Sequence, residues 1–222
     1  MSDTPRRIGL VLLAAGGSFR MGAPKQLLVF RGRTLLRRAA EAAAASGCHP
    51  VVVVLGAHAA RLSREIADLP VRVAHNGAWR TGMGSSIRTG LHALISAEVA
   101  VDAVVITVCD QPFCDASVIR MLVEGHGGGE RRIVTASYAG VHGVPALFDG
   151  TLFPQLLALD GQEGARRVLE AYRGEILPIP FAPGAVDVDT PADLARLHAA
   201  PRFGRGAVRY ATAAFWRRST AV

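Results

Sequence analysis

The chain has 222 residues, half of them hydrophobic and 19% charged, a balance that suits one α/β domain with a full core and excludes a disordered or low-complexity protein. A formal charge of +7 would suit a nucleic-acid binder, but the last 22 residues, Pro201 to Val222, hold five arginines and no acid, leaving +2 on the other 200. That near-neutral body argues against nucleic acid as a partner. Cys48, Cys109 and Cys114 are odd in number and lack C-x-x-C spacing, as expected in a reducing cytoplasm, and no apolar run approaches the ~20 residues that span a bilayer.

Arg6 and Arg7 followed by IGLVLLAA imitate the start of a secretory signal. The run is short, however, and leads straight into glycines, so Ile8 to Leu13 reads as a buried first strand. The next stretch, LAAGGSFRMGAPKQLL from Leu13 to Leu28, organises the rest of the chain. Its glycines let the backbone approach a ligand and aim several N–H groups at one point, which makes an anion cradle. Arg20 and Lys25 add positive charge there. A strand opening into such a loop describes a triphosphate site. The P-loop pattern fails because Lys25 lies between Pro24 and Gln26, and Gly16, Gly17 and Gly22 are wrongly spaced for G-x-G-x-x-G.

Thr34 to Ser46 reads as a helix with Thr34 as its cap and Gly47 as its stop. Pro50 to Leu55 is a second strand, Ala57 to Ala67 a helix and Val71 to Ala74 a third strand. Residues 76–90 begin polar and glycine-rich and become helical through Ser96. Ala103 to Val108 is a fourth strand ending at Asp110, and Asp115 caps a helix to about Glu124. After a flexible turn at Glu124 to Glu130, strands are expected at Ile133 to Tyr138 and Gly143 to Phe148, and a helix at Glu163 to Ala171. Val186 to Asp189 reads as a short strand before a helix capped by Thr190, with Pro191 at its first position and Asp193 in its first turn. Continuous apolar strands alternating with helices imply a mostly parallel sheet covered on both faces, an α/β Rossmann-like three-layer fold. Ligands then sit beyond the carboxyl ends of the strands, where the glycine-rich loop and Asp110 meet. Residues 1–200 form this domain, and 201–222 a basic tail whose arginines alternate with Phe203, Tyr210, Phe215 and Trp216.

Nucleotidyl transfer needs in-line attack on an α-phosphate, a metal on the phosphates and positive charge on the leaving pyrophosphate. Mg²⁺ takes one or two carboxylates plus substrate oxygens. Asp110, at the tip of an apolar strand, is the first candidate, and Asp189 in VDVDTP is the second. Asp187 is assigned to the side facing away. The seven histidines lack metal-ligand spacing, and His75 and His142 read as structural.

The loop, the Gly82–Ile87 segment GMGSSI, Asp110, Gly143-Val144-Pro145 and VDVDTP stand in the order of a known family. Over Ile8 to Leu197 the chain resembles the molybdenum cofactor cytidylyltransferases. The resemblance implies that Leu13, Ala14, Ala15, Gly16, Gly17, Ser18, Arg20, Met21, Gly22 and Lys25 hold the nucleotide, with Gly84, Ser85 and Ser86 at its base and ribose. It implies catalysis by Lys25, Arg20 and Asp110, a metal on Asp110 and Asp189, and transfer of CMP from CTP to the terminal phosphate of molybdopterin, for delivery to a molybdoenzyme. Two positions depart from the family: Val144 replaces the histidine of G-H-P, and Phe19 a small polar residue. The alternatives are a guanylyltransferase on the same cofactor and a non-catalytic protein that escorts the pterin; Lys25 together with two metal carboxylates argues against the latter. Met83 to Ser86 brings no carboxylate for guanine, and Ser85 or Ser86 is expected to reach cytosine O2 or N3.

Overall fold

The computed structural model describes residues 6–18, 21–97, 99–127 and 131–199. In chain order these form β1 (Ile8–Ala14), a small hairpin of β2 (Val29–Phe30) and β3 (Arg33–Thr34), α1 (Leu35–Ala44), β4 (Val51–Leu55), α2 (Ala59–Leu62), β5 (Arg72–His75) and α3 (Met83–Ile95). The second half adds β6 (Ala103–Val108), α4 (Ala116–His126), β7 (Ile133–Tyr138), β8 (Val141–Asp149), α5 (Phe153–Leu157), α6 (Arg166–Ala171), β9 (Ile176–Pro180) and α7 (Pro191–Ala199). The main sheet has seven strands in the order β5-β4-β1-β6-β8-β7-β9. Its parallel ladders leave β8 alone running against its neighbours, β6 and β7.

β1 is buried along its length. Leu10, Leu12 and Ala14 join the helices α1, α2 and α4 on one face, while Val11 and Leu13 join α3, α5 and α6 on the other. A strand covered on both sides has no polar face, hence the unbroken IGLVLLA. A third cluster lies beyond the sheet, where Phe30, Leu35 and Phe113 pack on Val186, Val188 and Leu197. It anchors the last helix beside the carboxyl end of β6. Among the described residues no helix is long and apolar enough to cross a membrane.

The Thr34 and Asp115 caps form as read, each side chain accepting from a backbone N–H of its helix. Other elements differ: the β2–β3 hairpin and α5 have no counterpart in the sequence reading, and the helix expected from Glu163 begins at Arg166. Ala57 to Ala67 breaks into α2 and a 3-10 turn, Ser63–Ile66, after a left-handed His58. α4 continues through His126 into the expected turn, whose residues 128–130 lie outside the described residues. The strand β9, ILPIP, has no counterpart in the sequence reading; its prolines are tolerated because it lies at the sheet edge. Val186 to Asp189 is extended but joins no sheet. Its neighbour β6 is already paired on both sides, with β1 and β8, and the segment meets the end of that strand through the Val188 N–H, which donates to the Asp110 carbonyl at 3.1 Å.

α3 crosses the sheet closely at Gly90, where a Cβ would strike Val11 and lie 2.8 Å from Cγ2 of Val54. Alanine gains about 1 kcal/mol of helix propensity there, but overpacking against two β-branched side chains costs roughly 1–3 kcal/mol. We expect Gly90→Ala to lower the thermal midpoint by about 2–6 °C, measured by circular dichroism; an unchanged or raised midpoint would show that α3 can move off the sheet.

Candidate active site

The residues after β1 leave the sheet at its carboxyl end. Leu13, Ala14 and Ala15 are themselves buried, their carbonyls accepting from Cys109 N–H, Gln26 Nε2 and Ala57 N–H. The part of the loop open to a ligand begins at Gly16. Ser18 and Gly22 adopt positive φ, 56° and 66°, which reverses the chain and brings Pro24 and Lys25 back beside β1. The Ser18 hydroxyl accepts the Lys25 N–H at 2.9 Å and donates to Gln26 Oε1 at 3.2 Å. Phe19 and Arg20 lie outside the described residues, as does the 201–222 tail.

Lys25 opens a 3-10 turn, Lys25–Leu27, and its ammonium lies between two carboxylates. Nζ donates to Asp110 Oδ2 at 2.6 Å and to Asp189 Oδ1 at 2.7 Å. Burial pulls the Lys25 ammonium down, but Asp110 and the hydrogen bonds to Asp110 and Asp189 outweigh it and hold Lys25 above the usual lysine range. Asp110 follows β6 directly. Asp189 is fixed by the start of α7: Asp193 accepts from the N–H groups of Asp189 and Thr190, at 3.1 and 2.8 Å, and the Thr190 hydroxyl accepts the Asp193 N–H at 3.2 Å. This reciprocal pair is a capping box with aspartate at its third position.

Asp187 does not face away. Residues two apart in an extended chain share a side; Val186 and Val188 turn together into the third core cluster, so Asp187 and Asp189 turn together towards Asp110. Loss of solvation, then the charges of Asp110 and Asp189, raise Asp187 to about 6. Cys109, immediately before Asp110, is no candidate nucleophile, because burial and then Asp110 push its thiol up to about 12.

Two oxygen ligands converging on one cation at under 3 Å have the hard-donor chemistry that Mg²⁺ or Mn²⁺ requires, with substrate phosphates completing the shell. The Lys25 ammonium stands in for such a cation. Among the described residues no group of three or more His, Cys, Asp or Glu side chains that could hold a metal forms.

The segment expected at the base is organised differently from the expectation. Ser85 is 3% exposed and Ser86 5%. Both hydroxyls accept from Asn76 Nδ2, at 2.8 and 2.9 Å, and Ser85 donates to the Gly82 carbonyl at 2.7 Å. They brace the start of α3 rather than face a base, because the helix's first turn needs its polar groups satisfied where it enters the core. The Gly84 N–H donates to the Gly161 carbonyl at 3.0 Å, and a Cβ on Gly84 would strike the Asp160 carbonyl. The 160–162 loop therefore lies against this segment through its backbone carbonyls, while the Asp160 carboxylate accepts the Gln162 N–H of its own loop at 3.1 Å. His142 and His75 are both exposed.

A parallel sheet whose carboxyl end carries a glycine-bearing loop, a lysine and paired carboxylates belongs to a nucleotidyltransferase. Residues 10–176 match the family described as the MobA-like NTP transferase domain, and the chain belongs to that family. It is 34% identical over 207 residues to the nicotine blue oxidoreductase of Paenarthrobacter nicotinovorans, covering 88% of this chain and 98% of that protein. It is 29% identical to the purine catabolism protein PucB of Bacillus subtilis (strain 168), covering 86% and 95%. Among solved structures it superposes on Rv0371c of Mycobacterium tuberculosis H37Rv with a TM-score of 0.76 at 28% identity, over 89% of this chain and all of that one. A second structure of that protein is a complex with manganese, with a TM-score of 0.71 at 26% identity, over 88% of this chain and all of that one.

The Asp187 cluster gives a pH prediction. An unfolded chain releases this proton near the ordinary aspartate value of about 4, the folded chain only near 6. Stability is therefore fully present below about pH 4 and falls as pH rises through 6. In chelator, Asp187→Asn should melt above the wild type at pH 8, with the gain vanishing at about pH 4. A gain equal at both values would exclude titration of Asp187 as its source.

Proposed function

We propose that the protein is a Mg²⁺-dependent cytidylyltransferase that moves CMP from CTP to the terminal phosphate of molybdopterin and works in the cytoplasm. The observation that carries the transferase reading is the Lys25 ammonium held between Asp110 and Asp189 at the mouth of the glycine-bearing loop. In the reaction an acceptor phosphate oxygen forms a bond to the α-phosphorus as the bond from that phosphorus to the bridging oxygen breaks, and pyrophosphate leaves. The acceptor is already an anion, so no residue need remove a proton. Asp110 and Asp189 would hold a divalent cation, which when bound neutralises phosphate charge. Lys25, released from those carboxylates, and Arg20 would turn their charge to the phosphates. Gly16, Gly17, Ser18 and Gly22 would supply backbone N–H groups, while the Met21 N–H closes the loop on the Ser18 carbonyl at 3.0 Å. The product would pass to a molybdoenzyme. A pterin-escort protein would have no use for this lysine and carboxylate set.

Lys25→Ala should lower turnover by about 10² or more, as loss of a preorganised charge at a transferring phosphate does. It should also leave Asp110, Asp187 and Asp189 without their shared cation, so that added Mg²⁺ or Mn²⁺ raises its melting temperature more than the wild type's. A folded variant with near-normal turnover and no such difference would remove Lys25 from the site.

The base is decided by competition. The lack of a carboxylate on Met83–Ser86 itself supports CTP. The second reading, GTP, needs acceptors for the N1–H and N2–H₂ donors of guanine, and the loop packed on Gly84 brings the backbone carbonyls of Asp160 and Gly161 to this segment. With Mg²⁺, molybdopterin and equal CTP and GTP, we expect predominantly CMP-bearing product by mass. Predominantly GMP product would assign the base to the second reading. Reduction of nicotine blue without pyrophosphate release would overturn the transferase reading itself.

A further inference from the structure

Directly beneath the loop lies a polar side chain with no role in the scheme above. Gln26 is 1% exposed, in a position flanked by the apolar residues of LLVF and the end of β1. All its hydrogen-bonding capacity is turned on the loop. Nε2 donates to the Ala14 carbonyl at 3.1 Å and to the Gly16 carbonyl at 2.7 Å. Oε1 accepts from the Ser18 hydroxyl at 3.2 Å, and that hydroxyl accepts the Lys25 N–H at 2.9 Å. One carboxamide thus ties the entry of the loop, at residues 14 and 16, to its exit at residue 25.

An anion cradle needs N–H groups facing the ligand and carbonyls facing elsewhere, since each carbonyl oxygen carries partial negative charge. Irregular backbone leaving a strand has no ladder to fix which way its carbonyls point. Two amide hydrogens on one buried nitrogen satisfy two carbonyls at once. Glutamate of the same length offers no hydrogen when ionised, and methionine none at all.

We propose that Gln26 is the positioning residue of the polyphosphate loop: it turns the Ala14 and Gly16 carbonyls away from the bound anion and, through Ser18, sets the backbone from which Lys25 reaches the phosphates. This rests on the reading of the loop as a nucleoside-triphosphate site. The ligand class it serves is the polyphosphate, not the base and not the acceptor.

The test uses the full chain with Gln26→Met, Gln26→Glu and Ser18→Ala, titrated calorimetrically with Mg²⁺–CTP, Mg²⁺–GTP and Mg²⁺–pyrophosphate. Gln26→Met keeps length and approximate volume, so it separates hydrogen bonding from packing. Ser18→Ala removes the link to Lys25 at a half-buried site where folding is not at risk. We expect Gln26→Met to weaken both nucleotides and pyrophosphate by at least about tenfold, Gln26→Glu by more and Ser18→Ala by less. Amide exchange should rise at Ser18 and Lys25 and stay unchanged in β4 and β6. Kinetically, KM for the nucleotide should rise while KM for the acceptor holds, which general loosening of the fold would not produce. If Gln26→Met keeps wild-type affinity and exchange, or if nucleotide and acceptor KM rise together, Gln26 is a packing residue and the inference is overturned. A wild type that binds none of the three probes would instead overturn the triphosphate reading and this inference with it.

Discussion

The site depends on one charge. Lys25 joins carboxylates that lie 85 and 164 residues away in sequence, on the end of β6 and the start of α7. Asp110, Asp187 and Asp189 would repel one another in a partly desolvated corner, where loss of solvation and then the charges of Asp110 and Asp189 keep Asp187 raised with Lys25 in place. The core supplies the force that gathers them. Burial of Val186 and Val188 with Phe30, Phe113 and Leu197 fixes a segment that no β-ladder holds. Hydrophobic packing on one side of that segment thus keeps like charges together on the other, and a cation is required to relieve them. In the proposed reaction Lys25 and a divalent ion would compete for the same oxygens.

Backbone satisfaction is the second constraint. Two irregular segments leave the carboxyl end of the sheet next to the core, and each rests on a buried carboxamide. Gln26 lies under the glycine-bearing loop, and Asn76 under the start of α3, where its Oδ1 accepts the Ala78 N–H at 2.9 Å while Nδ2 serves Ser85 and Ser86. A carboxamide combines two donors and an acceptor without a charge to desolvate. That suits it to chain which must stay non-helical and unpaired beside an apolar interior.

These two amides also mark where sequence reading stopped. Strands buried on both faces announce themselves as apolar runs, and β1, β4 and β6 stood out for that reason. β9 did not, because ILPIP carries prolines that argue against a strand unless its edge position is known. Lys25, Asp110 and Asp189 were legible because charges at the ends of apolar strands or in a capped turn have few other uses. Asp187 was misplaced through a period-two slip: the valines, not the other aspartate, are its opposites. Gln26 follows Lys25, and Asn76 stands between His75 and Gly77, and a carboxamide with such neighbours reads as solvent-facing surface. Only the chain folding back upon β1 shows that each is buried.

The phosphate end and the base end of the site are built on different principles, and that governs how far family membership reaches. At the proposed phosphate end the ligand would be recognised by backbone and charge, which any sequence keeping the loop shape and Lys25 preserves. At the base end Gly84 is held against the Asp160 carbonyl with no room for a side chain, and Ser85 and Ser86 are committed to Asn76. In the proposed reading nucleotide choice would be left to groups that remain open, Met83, 47% exposed, and the 160–162 loop. A loop of that kind can change without disturbing the sheet, the carboxylates or the buried amides. The transfer chemistry and the choice of base are therefore physically separable in this fold, and relatives that share the first can differ in the second.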